Sequence, residues 1–168
     1  MREHLIHLAE GALGGAAGTL FMTKSMQVAN RLPEAIQPPP IEGDPGDFMV
    51  SQAERVAGAA LEPGTHAKAA HALQWAYGVT WPTILAVALP ALEIRSVRKA
   101  AVAGAALGAG VFALGYLGWL PAAGLTKPIY RHRPGHVANA LTSHLLYGVF
   151  SALPIFAIDR YLRKRRIV

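Results

Sequence analysis

Two histidines lie deep in apolar sequence, in the stretches His71-Ala-Leu-Gln74-Trp75-Ala-Tyr77-Gly78-Val79 and Thr142-Ser143-His144-Leu-Leu-Tyr147-Gly148-Val149. Two neutral imidazoles on neighbouring helices could ligate a haem iron or another metal. Trp75 follows His71 by one helical turn and would share its face. With Tyr77, Trp81, Tyr116 and Trp119 it could stack against a flat ligand such as a quinone or pigment. His71, His144 and Trp75 are therefore the candidate cofactor-binding set, with haem or pigment as candidate occupant. Neither a second aligned pair nor a carboxylate accompanies them, so the simpler expectation is no cofactor.

A second pattern is Asn139, Ser143, Tyr147 and Ser151, recurring every fourth residue beside His144. A helix brings that spacing onto one stripe, which must face protein or water. It could line a cavity, or it could hydrogen-bond a neighbouring helix and fix rotation, the reading favoured here. His4 and His7 share a face near Glu3 and Glu10 and could start a zinc site, but no fourth ligand is evident. Residues of this kind before a span more often mark the headgroup layer, so no metal is expected.

Other chemistry is excluded by what the residues lack. There is no Gly-Lys-Ser/Thr after the glycines, no Gly-x-Ser-x-Gly and no His-Glu-x-x-His. Cysteine is absent, which removes disulfides, thiolate metal sites and a cysteine nucleophile. A non-enzymatic protein is expected.

The elements that must hold these residues are apolar stretches long enough to cross a bilayer, each needing about twenty residues. Four qualify, near residues 8–28, 69–92, 100–123 and 137–158, giving a single all-α membrane domain over 1–168. The second and third contain no formal charge. The first carries Glu10 and Lys24 near its ends, with a surface helix as its alternative; it is expected to persist as an uncleaved anchor.

The first connection, about 30–66, holds Pro38, Pro39 and Pro40 in an extended strap. A short amphipathic helix at the membrane surface is expected from about Asp47 to Leu61, its apolar face formed by Phe48, Met49, Ala53, Val56 and Ala60. Pro82 and Pro90 in the second span and Pro154 in the fourth should kink their helices.

Cohesion should come from small residues, because lipid gives helices no hydrophobic reason to associate. Gly11, Gly14, Gly15 and Gly18 form two overlapping Gly-x-x-x-Gly pairs in the first span. Gly104, Gly108, Gly115 and Gly118 lie in the third. The repeated Tyr-Gly-Val at Tyr77 and Tyr147 suggests two tandem hairpins, with chance similarity as the alternative.

Arg95, Arg98 and Lys99 in the second connection, and Arg160, Arg163, Lys164, Arg165 and Arg166 in the tail, set both termini on the cytoplasmic side. Lys127, Arg131 and Arg133 oppose this and could instead contact lipid phosphate or an acidic partner. The net charge of +6 flanks apolar spans without forming an aromatic-laced stripe, so nucleic acid is not an expected partner. The lipid bilayer and other membrane subunits are.

The glycine-rich start ending Gly18-Thr19, the His71–Gly78 block and the His144-Leu145-Leu146-Tyr147-Gly148 block resemble YagU-like bacterial inner-membrane proteins. That resemblance implies a bacterial inner-membrane location, a tentative link to acid tolerance and no established catalytic residues. Three roles follow as expectations. The first is an accessory or scaffold subunit packing on a larger complex. The second is a small transporter or proton-linked channel lined by the fourth-span stripe, and the third is a haem or pigment subunit.

Overall fold

Where water is scarce, a chain must satisfy its own backbone groups, and a sequence rich in Ala, Leu and Gly does so by helices. The computed structural model describes residues 2–166; the side chains of Arg2, of Glu3 in the candidate zinc face and of Arg166 in the basic tail lie outside the described set. Among the described residues the fold is all helical. The long elements are α1 (Arg2–Ala29), α2 (Pro45–Ala57), α3 (Pro63–Ala88), α4 (Val97–Phe112) and α6 (Pro134–Arg166). A π-helical stretch, Ala113–Trp119, and the single turn α5 (Leu120–Ala122) prolong α4.

Among the described residues three helical segments are long and apolar enough to cross a membrane: His4–Ala29, Val97–Ala122 and Pro134–Arg165. The fourth expected span, α3, does not reach that standard. Freedom from charge had recommended it, but Gln74, Thr80, Pro82 and Thr83 dilute its apolar character without adding charge. The first span, in contrast, qualifies despite Glu10 and Lys24. α3 also stops at Ala88, so Pro90 lies in the turn that follows and kinks nothing; Pro82 and Pro154 are interior, as expected.

Packing follows the glycines. On α1, Gly11 and Gly15 abut Thr83 and Val79 of α3, whereas Gly14 and Gly18 abut Ile155, Ser151 and Tyr147 of α6. The two overlapping pairs thus serve two different neighbours. On α4, Gly104 and Gly108 meet Gly148 and His144 of α6. Gly115 and Gly118 instead fall in the π-helical stretch, where no close approach needs them, since a methyl at Gly115 would reach only Leu120 at 3.6 Å.

α1 packs along both α3 and α6, and α4 along α6, each of these pairs antiparallel, while α3 and α6 also touch where Tyr147 reaches Gly78. Backbones meet closely in the middle, and side chains fill the two ends. Ala86, Leu89, Ile94, Ala100, Ile155 and Phe156 cluster near the end that carries the chain termini. Phe112, Tyr116, Leu120, Leu125 and Ala140 cluster at the opposite end, where Ile41 and Phe48 of the first connection cover them.

Two hairpins, α1/α3 and α4/α6, are present, and each Tyr-Gly-Val glycine faces its own partner: Gly78 meets Thr19 and Gly148 meets Gly104. The hairpins are not arranged symmetrically. α1 lies along α6, whereas α3 and α4 meet only sparsely.

The strap runs over the far end of α6. Asn139 donates to the Ile36 carbonyl at 2.7 Å, His136 Nε2 lies 2.7 Å from the Glu34 carbonyl, and Thr126 donates to Pro40 at 3.0 Å. Arg133, expected to meet lipid or a partner, lies 3.5 Å from Glu34 of the strap. α2 starts where Asp44 accepts from the Gly46 and Asp47 amides and ends at Gly58, whose φ of 65° suits glycine. It turns Val50 and Gly46 inward and leaves Val56 91 % exposed, so its buried face differs from the one expected.

Candidate functional site

The α6 stripe is a seam. Tyr147 donates its hydroxyl to the Gly78 carbonyl of α3, and fully buried Ser151 donates to the Tyr147 carbonyl at 2.9 Å while seated against Gly18. Asn139 is held by the strap and takes Ser143 as its donor at 3.4 Å. Tyr147 and Asn139 tie α6 to α3 and to the strap, whereas Ser143 and Ser151 bond back within α6.

His71 and His144 are not brought together. His144 Nδ1 lies 2.8 Å from the Ala140 carbonyl, and the rings of Phe112 and Tyr116 cover it from α4. His71 is exposed on α3 and meets Trp75 edge-on, with ring centroids 6.3 Å apart. His71 and Trp75 do share a face, in a shallow hollow of about 580 Å³ that also involves Ala67, Lys68 and Ala72. A bis-imidazole haem cradle between the two spans is therefore not formed. The candidate cofactor set reduces to one half-open, largely apolar hollow.

A different constellation lies at the end carrying the termini. His7 and Glu10 are three residues apart on α1, so one face presents both. α6, antiparallel to α1 through the Gly14 and Gly18 contacts, brings Asp159 to the same level. One donor atom from each of His7, Glu10 and Asp159 lies within 4.8 Å of the other two. His7 Nδ1 is 2.9 Å from Glu10 Oε2, and Arg163 Nε donates to both oxygens of Asp159 at 2.8 Å.

The electrostatics are unusual. Glu10 is 2 % exposed and Asp159 6 %, yet Glu10 Oε1 has no hydrogen-bond partner among the described residues. Desolvating a carboxylate is costly, and an oxygen left unpaired forfeits the usual compensation. Among the described residues only Arg163 and His7 offset the two acids, and Arg163 is 58 % exposed. Such an arrangement can hold a cation or share a proton.

Sequence reasoning noted His7 and Glu10 but missed Asp159, whose place just past the fourth span among basic residues reads as an ordinary helix pair with Arg163. The available signal was an acid inside each of two apolar helices, since intramembrane acids rarely stand alone. No protein-family model, curated protein or solved structure matches the chain.

Proposed function

We propose that this is a four-crossing membrane protein acting as a non-enzymatic accessory subunit, with α3 as the face on which another membrane protein packs. The observation that carries this reading is the position of α3. Its apolar stretch falls short of those in α1, α4 and α6, and although α1 packs along it and α2 on its start, exposed positions, Gln74 among them, leave part of it uncovered.

The register supports the fourth crossing. With Gly78 against Thr19 and Gly11 against Thr83, α3 runs alongside the apolar length of α1 in the opposite sense. A helix locked beside a span shares its depth. Gln74, one turn from Gly78 and exposed, then faces either hydrocarbon or a partner. An unpaired amide is expensive in hydrocarbon, whereas a neighbouring helix can bond it. The exposed His71 and the hollow beside Trp75 lie on the same helix.

The small-residue faces of α1 and α4 are largely used within the bundle, which leaves α3 as the partner surface. Reading the end that carries the termini as cytoplasmic accords with its cluster of arginines and lysines. A bacterial inner-membrane setting accords with the YagU-like blocks.

The test is photo-crosslinking in the native membrane from a reactive residue at Gln74, with one at Val102, an exposed apolar position on α4, as reference. The expected result is one discrete protein adduct from position 74 and none from 102. A lone monodisperse monomer in mild detergent, with no adduct from either position, rejects the reading.

A further inference from the structure

From the cluster at the end carrying the termini, we infer that His7, Glu10 and Asp159 form a binding site for a divalent transition-metal cation between α1 and α6. Two independent observations carry it. The three donor groups converge within 4.8 Å, and Glu10, almost wholly buried, has an oxygen without a partner among the described residues. A cation bound by the Glu10 carboxylate would supply the compensation that no described donor gives.

The donor set selects the ion class. One imidazole nitrogen with two carboxylates suits zinc, manganese, iron or cobalt, whereas magnesium prefers oxygen alone and gives up water reluctantly. His7 in the tautomer protonated at Nε2 would present Nδ1, and the 2.9 Å hydrogen bond that Nδ1 makes with Glu10 Oε2 without an ion would give way to a cation placed between the two groups.

Charge favours a cation. Two buried carboxylates face one guanidinium among the described residues, that of the largely exposed Arg163, which orients Asp159 through both oxygens and leaves one acid without a formal counter-charge. The ligands come from two helices, so the ion would tie α1 to α6 beyond their glycine contact. Three protein ligands leave further coordination positions open to water.

The experiment uses the untagged full chain in detergent, titrated with Co²⁺ and followed by its visible ligand-field absorption. One equivalent should bind, Zn²⁺ should displace it and excess Mg²⁺ should not. Glu10→Gln and Asp159→Asn should each weaken binding on the order of tenfold or more, at least what loss of an outer-shell partner costs. His4→Ala, one turn away and exposed, should leave binding unchanged.

Should either carboxylate variant lose its helical circular dichroism, His7→Ala carries the same test through a ligand nearer the surface. The inference is overturned if the native chain gives no stoichiometric spectrum. It is equally overturned if folded Glu10→Gln and Asp159→Asn bind as the native chain does.

Discussion

A single missing hydrogen on Pro82 determines where a tyrosine on another helix must point. Proline has no amide N–H, so the Gly78 carbonyl one turn earlier loses its helical donor. Tyr147 of α6 supplies the replacement, its hydroxyl donating to that carbonyl. Tyr147→Phe should therefore destabilise the protein by roughly 1–2 kcal/mol, the cost of leaving a carbonyl unpaired in a dry interface. In a Pro82→Ala background the helix recovers its own donor, and the same substitution should cost about 1 kcal/mol less. Reversible unfolding in mixed micelles of the four proteins measures the coupling; strictly additive effects would remove the explanation. Both residues were legible in the sequence, one as a kink and the other in a polar stripe. Their connection was not, because it depends on how closely α3 approaches α6.

At the scale of elements, glycine spacing carried most of the readable information. The two Gly-x-x-x-Gly pairs of α1 foretold close helix contacts, and only the assignment of one pair to each neighbour required the structure. A methyl at Gly15 would come within 2.8 Å of the Val79 backbone, which cannot yield as a side-chain tip can. Gly15→Val should cost about 1–3 kcal/mol through overpacking, whereas Gly110→Val, with nothing within 4 Å, should change stability little. Thermal unfolding in detergent compares them, and equal losses would mean that α1 and α3 do not meet as described. The element least legible was α2, because its inward face is set by Gly46 against Ala70 of α3, a contact no periodicity reveals.

α2 also carries a pH dependence. His66 Nδ1 lies 3.0 Å from Glu54 and its Nε2 lies 2.8 Å from Asp47, clasping α2 to the start of α3. The Glu54 bond, then the Asp47 bond, raise His66 above its ordinary value of 6.5, so its contribution is complete below that value and fades as pH rises through the raised one. The His66 bond, then the Leu61 amide, hold Glu54 below 4.5, so its contribution is complete above 4.5 and is lost as pH falls through the lowered value. The clasp should be tightest between about 4.5 and 6.5. Amide exchange across α2, corrected for its intrinsic pH dependence, should show most protection there. His66→Gln should flatten the profile, and an unchanged profile in that variant would refute the clasp.

For the whole molecule, the number of crossings decides which surfaces share a compartment. Three crossings by α1, α4 and α6 alone would leave the two termini on opposite sides of the membrane; a fourth by α3 returns them to the same side. The proposed fourth crossing rests on the antiparallel packing, because a helix lying along α1 from the level of Thr19 to that of Gly11 would share the layer proposed for α1. The same arrangement brings Glu10 and Asp159 together, which explains why that cluster escaped sequence reading: the residues belong to the first and last helices and meet only once every turn between them is set. Absence of cysteine makes the count directly measurable, since any introduced thiol is unique. Thiols at His4, Arg98 and Lys164 should all label from one face with a membrane-impermeant reagent, and thiols at Glu42 and Lys127 only from the other. If positions 4 and 164 label from opposite faces, α3 does not cross. Gln74 would then be solvated by water instead of needing a partner, and the accessory-subunit reading would lose its support.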